Sequence, residues 1–287
     1  MIIYSIGRMF LHLFAGLATC AFIFPFLDRP SRQARIRRWS AKLVHICGLK
    51  IVMRDVDGNV ASLTSVSASA AQSALMVANH ISWLDIFVIN TLAPCRFVAK
   101  SDIRNWPLVG WLCAKSGTIF IARGRPRDVR AIYQGLVASI KAGDRIAFFP
   151  EGTTAEQGSL LPFHPNLFEA AIDAAVPVQP YALRYLDAAG DLHPAADFIG
   201  DTTIVESILA ILKARVSRPI TAELTVLAPI TSAGAHRREL SLVAREAIAR
   251  ALGHAPAPAA ALVDISRAAP TVDTPPESAN GPQDIRP

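Results

Sequence analysis

The sequence predicts an α/β domain with a mixed, mostly parallel central sheet flanked by helices, preceded by an N-terminal membrane-associated helical segment. Strand-like apolar runs alternate with helix-like runs over residues 51–252, which is typical of this fold class. An almost uninterrupted apolar stretch occupies residues 9–27. The chain has 287 residues, 52% of them hydrophobic, so it can bury one sizeable core in one or two domains.

The charge indicates the kind of partner that the protein binds, and the cysteines indicate the redox compartment in which it folds. The formal net charge is +6 and the sequence pI is about 9.4, which suits an anionic partner. Because only 18% of the residues are charged, the composition favours a membrane surface over nucleic acid. The cysteines show no C-x-x-C spacing, so they predict buried free thiols in a reducing compartment, not disulfides or a zinc site. They are Cys20, Cys47, Cys95 and Cys113.

Residues 1–48 are predicted to anchor the chain to a membrane. The apolar stretch is just long enough to cross a hydrocarbon core. A cleaved signal peptide is an alternative because Arg8 precedes the stretch, but no clean cleavage site follows it. By the positive-inside rule, the basic residues that come next place the main domain on the cytoplasmic side of the inner membrane, in contact with anionic headgroups. These residues are Arg29, Arg32, Arg35, Arg37, Arg38 and Lys42.

Residues 49–253 are predicted to form the α/β domain, and the Ala/Pro-rich residues 254–287 a disordered tail. Apolar runs and turn signals predict strands over residues 51–56, 74–78, 96–99, 118–122, 145–149, 176–183 and 222–227. Helical periodicity and stop signals predict helices over residues 36–49, 86–92, 128–142, 166–175, 202–216 and 237–252. The small, polar residues 61–73 predict a loop.

Four motifs stand out, and the first three lie where predicted strands end, which is where ligands bind in open α/β sheets. They are N-H-x-x-x-x-D at 79–85, G-T-I-F-I-A-R at 117–123, F-F-P-E-G-T-T at 148–154 and V-P-V-Q-P at 176–180. In the first, Asp85 can hold one nitrogen of His80 and leave the other free as a base. The simpler interpretation is that the two residues form a turn or cap pair.

In this order and at this spacing, the motifs resemble the glycerolipid acyltransferase family, whose bacterial type member is 1-acyl-sn-glycerol-3-phosphate acyltransferase. The resemblance covers residues 76–180. It implies that His80 is the general base, oriented by Asp85, for attack of an acceptor hydroxyl on the thioester of acyl-carrier protein or coenzyme A. No covalent acyl-enzyme, metal or further cofactor is implied. The substrate-binding residues that the resemblance implies are Arg123 for an acceptor phosphate, and Glu151, Gly152, Thr153 and Lys100.

One departure from the family pattern concerns the acceptor. The third motif of the family usually continues F-P-E-G-T-R-S, whereas Thr154 and Ala155 stand here, and a hydroxyl does not replace a bidentate arginine. Relatives with F-P-E-G-T-T include enzymes that acylate lyso-ornithine lipid, which has no phosphate. Because Arg123, Arg125 and Arg127 remain, lysophosphatidic acid, giving phosphatidic acid, is the first expected acceptor and lyso-ornithine lipid the alternative.

Two other classes of function stay open at this stage. A non-enzymatic lipid-binding protein of the same fold needs no working base at position 80. A metallohydrolase would use His80, Asp85 and His164, but the sequence lacks a tight ligand cluster such as H-E-x-x-H.

Overall fold

The computed structural model describes residues 2–62, 73–121 and 126–254 of the chain. The strands of this part form one seven-stranded sheet in the order β1-β7-β6-β2-β5-β3-β4. They are β1 (Lys50–Arg54), β2 (Leu75–Ala78), β3 (Arg96–Lys100), β4 (Ile119–Ile121), β5 (Ile146–Phe148), β6 (Val178–Leu186) and β7 (Thr221–Val226).

The sheet is mixed and mostly parallel, which confirms the predicted fold class. β2 pairs in parallel with β5 on one side and with β6 on the other. Among the described strands, only β6 and β7 pair antiparallel. The carboxyl ends of β2, β5 and β6 therefore lie together at one edge of the sheet, and β3 ends at the same edge.

The described α-helices flank this sheet. They are α1 (Ile2–Ala18), α2 (Arg29–Cys47), α3 (Leu84–Leu92), α4 (Val109–Lys115), α5 (Pro126–Lys141), α6 (Glu169–Ala174), α7 (Ile204–Ser217) and α8 (Arg237–Leu252). Each predicted strand and helix is found close to its predicted bounds except at the start of α2. The sequence did not predict α4, because seven residues that include Gly110 show too little periodicity.

Helices cover both faces of the sheet, and the side chains of β2 alternate between two cores. Met76 and Ala78 pack in a cluster with residues of α2, α3 and α7. Leu75 and Val77 pack in a second cluster with residues of α5, α6 and α8. A strand buried on both faces is a continuous apolar run instead of an alternating one, as residues 74–78 are.

α1 continues through a π-helical turn (Thr19–Ile23) and a 3-10 turn (Phe24–Phe26). The most apolar 18 consecutive residues of the helical segment Ile2–Phe26 have a mean hydropathy of 1.9, and 22% of them are buried. It is therefore a candidate membrane span by length and composition. Its exposed apolar side chains include Ile3, Phe10, Leu11, Phe14, Phe22 and Phe26.

The face of α1 that packs on the protein is small and polar. His12 Nε2 donates to the Trp39 carbonyl at 2.8 Å, and Trp39 Nε1 donates to the His12 carbonyl at 3.0 Å. A Cβ atom at Gly16 would lie 2.7 Å from Trp39 Nε1, so the close approach of α1 to α2 requires glycine at this position. α1 thus presents its polar side to the protein and its apolar side outward.

α2 begins at Arg29, seven residues before the predicted start at residue 36, so that predicted boundary was wrong. The physical reason is a complete N-terminal cap. The Asp28 carboxylate accepts from the Ser31 backbone N–H at 3.0 Å, and Pro30 lies in the first turn, where its missing N–H costs nothing. The helix ends at Gly48, which has a φ of 82° and so can adopt the left-handed cap conformation.

Some predictions fall on parts of the chain that the structure does not describe. Most of the predicted loop at residues 61–73 and all but the first residue of the predicted tail at 254–287 lie outside the described residues. The division into segments 1–48, 49–253 and 254–287 stays a prediction.

Candidate active site

His80 and Asp85 lie at the carboxyl end of β2, where the chain turns into α3. His80 Nδ1 is 2.8 Å from Asp85 Oδ2. Because a carboxylate only accepts, Nδ1–H is the donor, and in the neutral ring Nε2 keeps its lone pair. Residues five apart do not share one helical face, but His80 is still in the turn while Asp85 is in the first turn of α3. The structure therefore brings together the two residues that the sequence paired.

Asp85 is completely buried, with a relative exposure of 0%, and each of its oxygens has a donor. Oδ2 accepts from the backbone N–H groups of Ile81 at 2.8 Å and Ser82 at 2.9 Å, in addition to the imidazole. Oδ1 accepts from the Tyr185 hydroxyl at 2.6 Å. A buried carboxylate needs such donors to remain charged, and here they also fix its orientation toward His80.

Tyr185 is a functional-site residue that sequence reasoning missed. It lies on β6 and is fully buried. Its burial and the neighbouring Asp85 charge raise the pKa of its hydroxyl far above the ordinary value, so the group remains a donor. In the sequence, Tyr185 lies just beyond the strand predicted over residues 176–183, and no local pattern connects it to Asp85.

The imidazole of His80 is held on one face and open at one nitrogen. Its ring stacks on Phe149 with 3.8 Å between centroids and 7° between planes, and Phe97 stacks behind Phe149 at 5.9 Å. The side chain is 19% exposed. Nε2 makes no hydrogen bond with any residue that the structure describes. This nitrogen can accept a proton from a molecule bound beside the ring.

Glu151 follows β5 at the same edge and is 4% exposed. Its Oε1 accepts from the backbone N–H of His80 at 2.8 Å, and its Oε2 accepts from the backbone N–H of Leu161 at 3.0 Å. Desolvation raises the pKa of Glu151 above its ordinary value, and the two backbone hydrogen bonds oppose this rise. The observed contacts of the carboxylate are thus with the turn that carries His80 and with the loop at Leu161.

Comparison with known proteins identifies the family. A family model described as Acyltransferase matches residues 59–184. A lyso-ornithine lipid O-acyltransferase from Pseudomonas aeruginosa is 37% identical over 231 residues, which is 80% of this chain and 82% of that protein. This chain belongs to the acyltransferase family. The family predicted from the four motifs is confirmed.

Two further comparisons concern another sequence relative of this acyltransferase and its fold. A 1-acyl-sn-glycerol-3-phosphate acyltransferase from Neisseria gonorrhoeae is 38% identical over 141 residues, which is 48% of this chain and 55% of that protein. The crystal structure of the 1-acyl-sn-glycerophosphate acyltransferase PlsC from Thermotoga maritima matches 88% of this chain and 97% of its own, with a TM-score of 0.60 and 20% identity. At that identity, the likeness supports the fold alone.

Asn79, the first residue of the acyltransferase motif, joins two strands. Its side-chain amide donates to the Leu183 carbonyl at 2.9 Å, and its side-chain oxygen accepts from the Leu183 N–H at 2.8 Å. The side chain thus extends the pairing of β2 with β6 beyond the end of β2. It holds the turn with His80 against the strand that carries Tyr185.

The other predicted residues are spread around this edge. Gly152 has a φ of 72°, and a Cβ there would lie 3.3 Å from Cδ2 of His164, so the turn favours glycine. Thr153 is exposed, and the Thr154 hydroxyl donates to the Phe198 carbonyl. Lys100 is exposed at the carboxyl end of β3.

The predicted phosphate contact lies outside the described part of the chain. Arg123 and Arg125 are not among the described residues, and no side-chain position is described for Arg127.

Among the described residues, no group of three or more His, Cys, Asp and Glu side chains is placed to hold a metal ion. Of the described cysteines, Cys20, Cys47 and Cys95 are buried free thiols and Cys113 is a half-buried one.

Proposed function

We propose that this protein transfers a fatty acyl group from an acyl-carrier-protein or coenzyme A thioester to the free hydroxyl of a lysolipid in the membrane. The observation that carries the proposal is the state of His80, whose Nδ1 is held by Asp85 while Nε2 is open. An oriented imidazole of this kind is suited to general-base chemistry on a hydroxyl.

The reaction follows from that geometry in two steps. Nε2 of His80 takes the hydroxyl proton as the acceptor oxygen attacks the thioester carbonyl and forms the new C–O bond. The C–S bond then breaks, and the departing thiolate takes the proton back from Nε2. The thioester supplies the activated acyl group, so the proposed reaction balances without a resident metal or cofactor.

The other residues are proposed to position the reactants. Asp85 and Tyr185 orient the imidazole, and Glu151 holds the backbone of His80, so Glu151 is a positioning residue more than a direct substrate contact. Gly152, Thr153 and Lys100 would line the acceptor side. Arg123 would bind an anionic group of the acceptor.

We propose lyso-ornithine lipid as the first acceptor and lysophosphatidic acid as the second, which reverses the order expected from the sequence. The Thr154 hydroxyl is engaged with the Phe198 carbonyl, so this position offers no cation to a phosphate. The Pseudomonas aeruginosa relative, named for lyso-ornithine lipid, aligns over 80% of this chain. The basic motif around Arg123 and the Neisseria gonorrhoeae relative support the phosphate-bearing acceptor.

We also propose that the protein acts on the cytoplasmic side of the inner membrane. The segment Ile2–Phe26 is apolar enough to enter a bilayer, and α2, which follows it, is strongly basic. Basic residues beside an apolar helix stay on the cytoplasmic side.

The test is acyl transfer by the full-length protein in lipid vesicles, with acyl-carrier-protein and acyl-CoA donors each paired with both acceptors. We expect ester formation with lyso-ornithine lipid to exceed that with lysophosphatidic acid. His80→Ala should lower the rate by about 100- to 10,000-fold, the usual contribution of a general base.

The matched control is His164→Ala, because the exposed His164 lies beside Gly152 at the same edge. It should leave the rate within about threefold of the wild type, since surface changes are usually small in effect. Unchanged activity in His80→Ala would reject the base. No transfer from any donor, with vesicle binding intact, would favour a non-enzymatic lipid-binding protein.

A further inference from the structure

A cavity of about 420 Å³ lies at the edge of the sheet opposite His80. Two of its residues show this placement: Arg96 is the first residue of β3, and Arg145 immediately precedes β5. His80 and Glu151, in contrast, follow the carboxyl ends of β2 and β5. We call this space the basic cavity. Its charged lining residues are Arg29, Arg32, Arg96, Lys115, Asp144 and Arg145.

Asp144 is the one carboxylate among the described residues that line the basic cavity, and it is already paired. Asp144 forms ion pairs with Arg29 at 2.7 Å and with Arg96 at 2.9 Å. Both arginines also donate to backbone carbonyls, Arg29 to Ala142 and Arg96 to Gly117. These contacts join the start of α2 to the sheet, so Arg29 and Arg96 build the wall of the cavity.

Three further cations of the lining have no anionic partner among the described residues. The Arg145 guanidinium makes no hydrogen bond or ion pair with any of them, although the backbone carbonyl of Arg145 accepts from the Arg96 N–H at 2.8 Å. Arg32 Nε donates to the Leu27 carbonyl at 3.0 Å, and the Arg32 guanidinium carbon lies 6.0 Å from the centre of the Phe24 ring. The Lys115 ammonium lies 5.7 Å from the centre of the Trp111 ring, and this lysine is exposed. Cations that line one cavity without an anion repel each other, and a bound phosphate would stabilise them.

The apolar lining of the basic cavity connects it to the lipid-facing helix. Phe24 and Leu27 line it; Phe24 lies in the last turn of the segment Ile2–Phe26, which is apolar enough to enter a bilayer, and Leu27 directly follows that segment. Phe22 and Phe26 in the same turns are exposed, at 75% and 87%. A headgroup at the end of a membrane helix lies at this level, where basic residues attract anionic lipids.

We propose that the basic cavity binds the phosphate of an anionic membrane lipid through Arg32, Lys115 and Arg145. The volume falls within the usual range of ligand pockets, and arginine forks and a lysine ammonium are the usual phosphate donors. This inference goes beyond the proposed reaction, because the cavity lies at the other edge of the sheet and its binding is measured without acyl transfer.

The first experiment measures partition of the full-length protein into phosphatidylcholine vesicles with and without phosphatidylglycerol. Arg145→Gln and Lys115→Gln should each lower partition into the phosphatidylglycerol vesicles by about fivefold, the contribution of one cation near a membrane surface, and should not change partition into phosphatidylcholine alone. The control is Arg238→Gln, which removes the same charge from an exposed position of α8, on the other face of the sheet from α2, and should have a smaller effect.

The second experiment titrates inorganic phosphate into the same proteins by calorimetry. Saturable binding should be lost in Arg145→Gln and retained in Arg238→Gln. Equal losses in cavity and control variants would show diffuse attraction and overturn the proposal. If the wild type binds phosphate but the cavity variants partition into phosphatidylglycerol vesicles as the wild type does, the proposal that the phosphate belongs to a membrane lipid is overturned. If Arg145→Gln does not fold, as judged by circular dichroism, the same two measurements on Lys115→Gln, which changes an exposed residue, test the proposal instead.

Discussion

The Tyr185 hydroxyl donates a hydrogen bond of 2.6 Å to Oδ1 of Asp85 across 100 positions of sequence. The other oxygen of the same carboxylate holds the imidazole of His80. Because Tyr185 and Asp85 are both fully buried, water cannot replace the phenol if it is removed. The orientation of the imidazole therefore depends on β6 as well as on the turn that carries it.

Tyr185→Phe should lower both stability and turnover. Loss of a hydrogen bond to a buried charged group costs about 1.5–3 kcal/mol, which urea denaturation would measure as a lower free energy of unfolding. A slightly misplaced base lowers kcat by up to about a hundredfold. KM for the acceptor should not change, because the buried phenol does not contact substrate.

The matched control for Tyr185→Phe is Tyr181→Phe. Tyr181 lies on the same strand and is equally buried, but its hydroxyl has no hydrogen-bond partner among the described residues. Removing it should leave stability and kcat unchanged or raise stability, since an unpaired buried hydroxyl is destabilising. Equal effects of the two substitutions would contradict a specific role for Tyr185.

The difference in free energy of unfolding between the wild type and Glu151→Gln should depend on pH. Burial raises the pKa of Glu151 above its ordinary value of 4.5, so the folded protein holds this proton more tightly than the unfolded chain does. The stability contributed in this way is present below pH 4.5 and is lost as the pH rises through the folded-state pKa. The free energy of unfolding of the wild type, relative to Glu151→Gln, should therefore fall from pH 4.5 upward.

Urea denaturation of both proteins over this pH range measures that difference, because all other titrating groups are shared. A difference that grows with pH would mean that the two backbone N–H groups outweigh desolvation. The Glu151 pKa would then lie below its ordinary value.

Thr154→Arg should shift acceptor preference toward lysophosphatidic acid. A guanidinium at position 154 restores the cation of the family pattern, and a charge-assisted hydrogen bond to phosphate should raise the kcat/KM ratio of lysophosphatidic acid to lyso-ornithine lipid by about tenfold. Thr153→Arg, at the exposed neighbouring position, controls for added charge alone. Thr154→Val controls for the lost hydrogen bond to Phe198. The same shift in all three variants would rule out recognition at position 154.

Phe14→Asp should release the protein from membranes. Phe14 is 59% exposed on the outer face of α1, and a charge placed in an embedded apolar helix should lower partition into phosphatidylcholine vesicles by at least about tenfold. The control is Val243→Asp, at a 42% exposed position of α8 on the opposite face of the sheet. Flotation assays compare the two, and equal partition would argue against membrane contact by α1.

The strands and the pairing of His80 with Asp85 were accessible from sequence because each leaves a local signal. A strand buried on both faces is a short apolar run, and residues 74–78 and 146–149 are such runs. The histidine and the aspartate lie within one turn, so their contact depends on few dihedral angles. The start of α2, which was predicted wrongly, also has a local signal in Asp28 and Pro30, because both residues are favoured at helix starts.

The contacts that hold His80 and Asp85 in place could not be predicted from the sequence, because they join residues that are distant in the chain. Tyr185 and Tyr181 stand four positions apart on one buried strand, and only the packed sheet shows that one reaches Asp85 and the other reaches no partner. Glu151 was expected to shape the acceptor site. Its hydrogen bond to Leu161 depends on a loop without periodicity, so the sequence could not predict where its carboxylate points.

The contact between Ser5 and Arg215 has a consequence for how the protein is made. Arg215 Nη1 donates to Ser5 Oγ at 3.3 Å, across 210 positions of sequence. At about 5–20 residues per second, translation needs about 10–40 s to reach Arg215 after Ser5. During that interval the ribosome holds an apolar helix whose later partner does not yet exist. The bilayer can cover this helix at once, so the order of synthesis favours an enzyme assembled on its membrane over one recruited there after folding.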